Sequence, residues 1–216
     1  RVTIHDIVDR FKVSAVTIRK DLDELEQRGD ILRTFGGAAL LRNNDMEMAF
    51  QVRARMQEKA KRAIGAYAAQ MIRPGDSIII DAGSTALEIV RCLKGIAPLD
   101  VITPALNVAL EVGSLPGVTV IVPASGVLDQ ISMSLEGPEV EEAFSRLHAD
   151  KYFMGLRSVD VQHGFMDTNI RRIRLKQSMM NAARETIAVA DSSKFGRASL
   201  VQIAPPEAGA NGRPDG

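Results

Sequence analysis

Asp81-Ala82-Gly83-Ser84-Thr85 is the stretch whose residue types most clearly specify chemistry. Three isoleucines, Ile78 to Ile80, run into the aspartate, and an apolar helix-like pattern starts just after the turn. A strand that hands over to a helix through small residues delivers an anion to backbone N–H groups at the positive end of the helix dipole. A Gly-Ser-Thr turn can also be a plain connection, so the fully apolar strand before it is what strengthens the reading. A second group lies in IRRIRLKQSMM, residues 170 to 180. There Arg172 and Lys176 are one helical turn apart and share a face, as do Arg171 and Arg174 by i, i+3 spacing. Arginine and lysine on one face are phosphate donors; the plain alternative for Arg171 and Arg174 is a solvated basic surface.

The elements that must position these groups follow from periodicity. Strand-like runs occur at SIIID, DVIT, VTVIV, KYFMGL and TIAVAD. Helix-like patterns follow at 85–94, 104–114, 137–148 and 170–185, and the alternation predicts a mostly parallel α/β sheet. In open sheets of that kind ligands gather beyond the C-terminal strand ends. Asp81, Thr103, Gly126, Gly155 and Asp191 all fall near such ends. Asn107 either approaches a sugar there or serves as a cap or surface amide, and Lys194 either reaches the pocket or is solvated. A further helix is expected from Lys59 to Ile72, with Ile64, Ala68 and Met71 on one side, stopped by Pro74-Gly75-Asp76.

The first forty residues follow a different plan. Ile4, Ile7, Val8 and Phe11 form one face of a short helix capped by Thr3. Ser14 can cap a second helix, AVTIRKDLDELEQR, with Ile18, Leu22 and Leu25 as its buried stripe and Gly29 as its stop. ILRTFGGAAL then predicts a short hairpin. Helix, tight turn, helix and hairpin make a winged helix-turn-helix. Opposite the buried stripe stand Val16, Thr17, Arg19 and Lys20, with Asp23 and Glu24 farther along. Such a face suits a helix whose front end enters the DNA major groove; on an isolated helix it would read as a solvated surface. Ser14 at the head of the helix and Arg33 on the hairpin join the same group.

Composition excludes several classes. The 216 residues carry 27 basic and 27 acidic side chains, a formal charge of zero, so only local clustering speaks for nucleic acid. A single cysteine, Cys92, rules out a disulfide framework and suits a reducing compartment, where a buried thiol acts as a small hydrophobe. No apolar run is long enough to span a bilayer, so a cytoplasmic protein is expected. His5, His148 and His163 lie far apart with no second ligand at metal spacing, and no metal or cofactor is expected. Residues 205–216 have the composition of a tail.

VSAVTIRKDLDELEQRGDILRTFGGAAL resembles the helix-turn-helix signature of the DeoR family of bacterial transcription regulators. The matching positions are Ser14, Thr17, Ile18, Arg19, Asp21, Leu22, Leu25, Gly29, Arg33, Gly36, Gly37 and Ala38. DAGST at 81–85, TPALNVA at 103–109, LEG at 135–137 and DSSKFG at 191–196 resemble the family's effector domain in the same order, so the likeness covers residues 2–204.

The resemblance implies a winged helix-turn-helix at 1–41, a linker at 42–57, an effector-binding α/β domain at 58–204 and a tail at 205–216. It implies an effector domain similar to sugar-phosphate isomerases, with Gly83, Ser84 and Thr85 cradling a phosphate, Asp81 facing the sugar and Lys176 in contact with the ligand. The family carries another helix before the two seen here, so the helix-turn-helix is expected to lack its first helix. Where the family usually has a glutamate this chain has Arg172, which predicts one fewer acid/base candidate, one more phosphate donor and an effector richer in negative charge. The function implied is a non-enzymatic repressor of a sugar-metabolism operon, acting on operator DNA as a dimer or larger even-numbered assembly. The alternative is a sugar-phosphate isomerase with an accessory domain.

Overall fold

A computed structural model of the chain describes residues 2–28, 31–34, 36–40, 50–123 and 125–207. The chain divides into two compact units, Arg1–Glu58 and Lys59–Gly216.

The first unit comprises β1 (Val2–Thr3), α1 (Ile4–Phe11), α2 (Ala15–Arg28), β2 (Ile31–Thr34), β3 (Gly37–Leu40) and α3 (Phe50–Arg55). Thr3 and Asp6 form a reciprocal capping box at the start of α1. Lys12 then turns the chain in the left-handed region, its N–H donating to Val8 O at 2.8 Å. Ser14 accepts from the Thr17 N–H at 3.1 Å and so starts α2. Ile18, Leu22, Ile31 and Ala38 form the core, with Ile4, Ile7, Val8 and Leu25 packed against it. Phe11, expected on the buried face of α1, is 63% exposed, because the core reaches only as far as Val8. The hairpin β2–β3 forms, and β1 adds a third strand against β3 that the sequence did not signal. Gly37 makes this possible: a Cβ there would lie 2.0 Å from Val2 O. α3 lies in the stretch expected as an irregular linker. The stop at Gly29 and residues 41–49 lie outside the described residues.

The second unit contains α4 (Glu58–Ala69), β4 (Ser77–Ile80), α5 (Ser84–Arg91), β5 (Leu99–Ile102), α6 (Leu106–Val112), β6 (Val118–Ile121), β7 (Val127–Asp129), β8 (Ser134–Glu136), α7 (Pro138–Ser145), β9 (Ala149–Gly155), β10 (Ser158–Asp160), β11 (Gly164–Asp167), α8 (Arg171–Ala182), β12 (Ala183–Val189) and β13 (Val201–Ala204). All five strand-like runs of the sequence join one sheet, in the order β12-β9-β4-β5-β6, and every neighbour pair in it is parallel. Ile79, Ile102, Tyr152 and Met154 pack with Phe144 of α7 and Ile173 and Met179 of α8. Ile78, Ile80, Val101 and Phe153 alternate to the opposite face and are equally buried. Burial on both faces is why these strands read as continuous apolar runs.

Two smaller pieces flank the sheet: the antiparallel β10-β11-β13 sheet and the separate β7–β8 hairpin. Cys92, expected to be buried, is exposed. Among the described residues, no helix is long and apolar enough to cross a membrane.

Candidate functional site

The central strand β4 sends the chain through α5 toward β5 on one side, while β9 on its other side leads through α8 to β12. Connections leaving in opposite directions open a crevice between the C-terminal ends of β4 and β9, the place where α/β sheets bind ligands. Asp81 and Gly155 line this crevice. The Asp81 carboxylate is buried, and its Oδ2 accepts from the Tyr152 hydroxyl and the Gly155 N–H, both at 3.0 Å, and from Lys176 Nζ. Its Oδ1 accepts from the Ala82 N–H at 2.7 Å. Lys176 reaches in from α8 and also donates to Gly155 O at 2.6 Å. Burial, then the charge of Asp81 and the hydrogen bond to it, pushes the Tyr152 hydroxyl well above the ordinary tyrosine range. Tyr152 therefore stays protonated and donating. These groups form a buried, ion-paired and hydrogen-bonded floor.

Beside that floor α5 begins. Gly83, at φ 130° and ψ 166°, is its N-cap, with no side-chain cap and no acidic residue in the first turn. The first intrahelical bond runs from Leu87 N to Gly83 O, so the N–H groups of the first turn precede it at the positive end of the helix. A Cβ on Gly83 would meet nothing within 4 Å, so the space before this helix end is open.

α7 provides an internal comparison. Its N-cap, Gly137, has nearly the same backbone, φ 137° and ψ 165°, but α7 carries Glu139 and Glu141 in its first turn. A Cβ on Gly137 would lie 3.2 Å from a Glu139 carboxylate oxygen. α7 thus carries negative charge at its own positive end, whereas the first turn of α5 carries none.

The other expected site residues divide. Thr103 is fully buried, its hydroxyl accepting from the Ala105 N–H at 3.1 Å, which makes it a brace for the β5–α6 loop. Asn107, on the first turn of α6, has both amide atoms shielded from solvent and without a hydrogen-bond partner. Such a group is costly unless a ligand or water completes it. Gly126 is structural: a Cβ there would come within 2.7 Å of Glu136 O and Val140 Cγ2. Asp191 accepts from the Ser193 N–H and hydroxyl and caps the turn at Ser192–Lys194, where Lys194 is half-buried. Arg171 and Arg174 are exposed, a solvated basic surface.

Arg172 departs from expectation. Rather than offering an open cation to a phosphate, it is buried, donating from Nε to Glu136 Oε1 at 2.9 Å and from Nη2 to Asp129 Oδ2 at 2.5 Å. The inference of an effector with extra negative charge loses its basis, because two carboxylates already balance this cation. Burial alone would lower the Arg172 pKa; Asp167, Glu136 and Asp129 outweigh it and raise it. Sequence reasoning missed Tyr152, read only as strand core, and Asp129 and Asp167. Glu136 stood within the LEG motif without a role.

In the first unit Val16, Thr17, Arg19 and Lys20 are exposed on α2, turned away from the buried Ile18 and Leu22. Ser14 and Thr17 pair their hydroxyls at 2.8 Å. The Arg33 side chain lies outside the described residues. Among the described residues no three His, Cys, Asp or Glu side chains gather as a metal site.

Comparison with known proteins adds to this geometry. The DeoR-like helix-turn-helix domain matches residues 1–44, and the DeoR C terminal sensor domain matches residues 56–209. The uncharacterized HTH-type transcriptional regulator YulB of Bacillus subtilis (strain 168) is 34% identical over 203 residues, covering 94% of this chain and 78% of that protein. The HTH-type transcriptional repressor GlcR of the same organism is 32% identical over 206 residues, covering 94% and 78%. Among solved structures, ribose 5 phosphate isomerase A from Neisseria gonorrhoeae aligns with a TM-score of 0.47 at 16% identity, over 65% of this chain and 54% of that one. A likeness that distant assigns no chemistry.

Proposed function

The chain belongs to the DeoR family, and on that premise we propose that it is a cytoplasmic transcription regulator, a repressor of a sugar-metabolism operon controlled by a phosphorylated sugar. The observation that carries the effector reading is the open N-terminus of α5 beside the Asp81–Lys176 pair, set against the acidic first turn of α7. The phosphate is held by backbone N–H groups of Ser84, Thr85 and Ala86 and by the hydroxyls of Ser84 and Thr85. The sugar lies toward Asn107, whose amide gains the partners it lacks. Asp81, Tyr152 and Lys176 act as the floor that keeps the β4–α5 turn in place. On the first unit, Val16, Thr17, Arg19 and Lys20 of α2, with Arg33 of the hairpin, face operator DNA. Two copies meet successive half-sites. Effector binding changes operator affinity by its different affinity for the two states of the protein.

An isomerase would use Asp81 as its base, but Asp81 Oδ2 is committed to three protein donors. No turnover of ribose 5-phosphate is expected. The test is a thermal-shift panel of phosphorylated sugars and their unphosphorylated parents, since a ligand selective for the native state raises Tm by mass action. A shift by at least one phosphorylated member and by no parent supports the reading; equal shifts for sugar and sugar phosphate would remove the anion from it.

A further inference from the structure

Among the described residues the β7–β8 hairpin forms a two-stranded sheet of its own, and its polar ties run to two neighbours. On one side β8 follows the β5–α6 loop. Leu135 N donates to Pro104 O at 2.9 Å, Leu106 N donates to Met133 O at 2.9 Å, and Ala105 bridges Ser134. This loop holds Thr103 and leads directly into Asn107. On the other side Leu135 of β8 packs against the core that holds Phe144 of α7 and Ile173 of α8, and the polar tie is Arg172. Its guanidinium takes Asp129 from β7 and Glu136 from β8, so a single planar fork ties both strands to the first turn of α8. Asp129 is set for this by Ser132, whose N–H and hydroxyl donate to Oδ2 at 3.0 and 2.5 Å. One turn along α8, Lys176 grips Asp81 at the crevice floor. The helix therefore carries two cations with two tasks, one for the floor and one for the hairpin.

Resting on the effector reading above, we propose that Arg172 is a positioning residue: it clamps the β7–β8 hairpin between α8 and the β5–α6 loop, and so sets the wall of the effector site without touching the effector. The physical reason is charge balance. Asp129, Glu136 and the buried Asp167 all bear on this one cation, so removing it leaves carboxylates facing one another in a partly dry site. The hairpin then swings away from α8, and the loop ahead of Asn107 loses its support. A lysine cannot replace the fork, since one ammonium cannot present two fixed N–H vectors to carboxylates on two strands.

This role and that of a phosphate ligand predict opposite signs for one variant. Were Arg172 a phosphate donor in waiting, Glu136→Gln would release it and tighten phosphate binding. As a clamp, Glu136→Gln loosens the hairpin and weakens it. The experiment uses the full chain as wild type, Arg172→Gln, Arg172→Lys, Asp129→Asn and Glu136→Gln. Calorimetry with ribose 5-phosphate, glucose 6-phosphate and inorganic phosphate is paired with amide hydrogen exchange over residues 127–136. The expected result is exchange at least tenfold faster in the hairpin for all four variants, with weaker binding of whichever probe the wild type takes. Unchanged hairpin protection in Asp129→Asn and Glu136→Gln, or tighter binding in either, overturns the clamp. If the wild type binds none of the probes, the sensor reading fails on its own, while the exchange data still decide what Arg172 does. Should Arg172→Gln fail to fold, the two carboxylate variants carry the test.

Discussion

Asp81 and Lys176 are ion-paired with one another, so in the proposed site it is backbone dipoles rather than a side-chain charge that would meet the phosphate. Thr85→Glu tests that directly. A carboxylate in the first turn of α5 copies what α7 does with Glu139, and it should stabilise the free protein by roughly 0.3–1 kcal/mol while abolishing any phosphate-dependent rise in Tm. Asp81→Ala has a different consequence. It leaves a buried ammonium without its counter-ion and the Tyr152 hydroxyl without its acceptor, a loss of about 3–5 kcal/mol, read as a lower urea midpoint. At this scale the Gly-Ser-Thr turn was legible because its requirement is local: a residue free to adopt φ 130° and small hydroxyl residues after it. The task of Arg172 was not. Its partners lie 36 and 43 positions away, a juxtaposition that no spacing rule within α8 reveals.

Elements were legible in proportion to how much of their burial is carried by their own sequence. The five parallel strands are apolar on both faces and read as such. The β10–β11–β13 and β7–β8 strands are three or four residues long and mixed in composition, and they exist because of partners far along the chain. α4 shows the same limit. Its buried face runs through Lys61, Gly65, Ala68 and Ala69 rather than through Ile64, because Gly65 lets α4 approach the Glu88 backbone closely. The two N-terminal caps of the helix-turn-helix, Thr3 and Ser14, stand where the sequence put them, since capping is a contact within one turn. Ser14→Ala is expected to cost about 1 kcal/mol, seen as earlier loss of helical signal from the first unit while the second is unaffected.

For the molecule as a whole, acid sensitivity follows from carboxylates that folding holds ionised. Burial would raise Asp76 and Asp129. For Asp76, hydrogen bonds from Lys151 and the Arg73 N–H outweigh it, and for Asp129, those from Ser132 with the charge of Arg172 do, so both pKa values are lowered. A lowered folded value gives stability that is complete above the unfolded value and lost as pH falls through the folded one. Glu136, raised chiefly by burial, works in the opposite sense and offsets part of this. Urea midpoints should therefore fall below about pH 4, with Asp76→Asn flattening the slope. For DNA, Arg19→Ala and Lys20→Ala are each expected to weaken operator binding in a gel shift. A phosphate contact shows as a salt slope reduced by about 1, and a base contact as relaxed sequence preference. Unchanged affinity in both variants would mean that a different surface reads the operator.

The sequence by itself determined the order and type of the main elements, the capped helix-turn-helix, and the strand-to-helix turn that leaves a dipole open, because each depends on residues within a few positions of one another. Only the tertiary structure decided which charges remain available. Lys176 and Arg172 look alike on a helical wheel, yet one is bound to Asp81 at the crevice floor and the other to two strands of a hairpin. Ion pairing is settled by proximity in space, and proximity between distant segments emerges only when the sheet brings α8, the β4 end and the hairpin together.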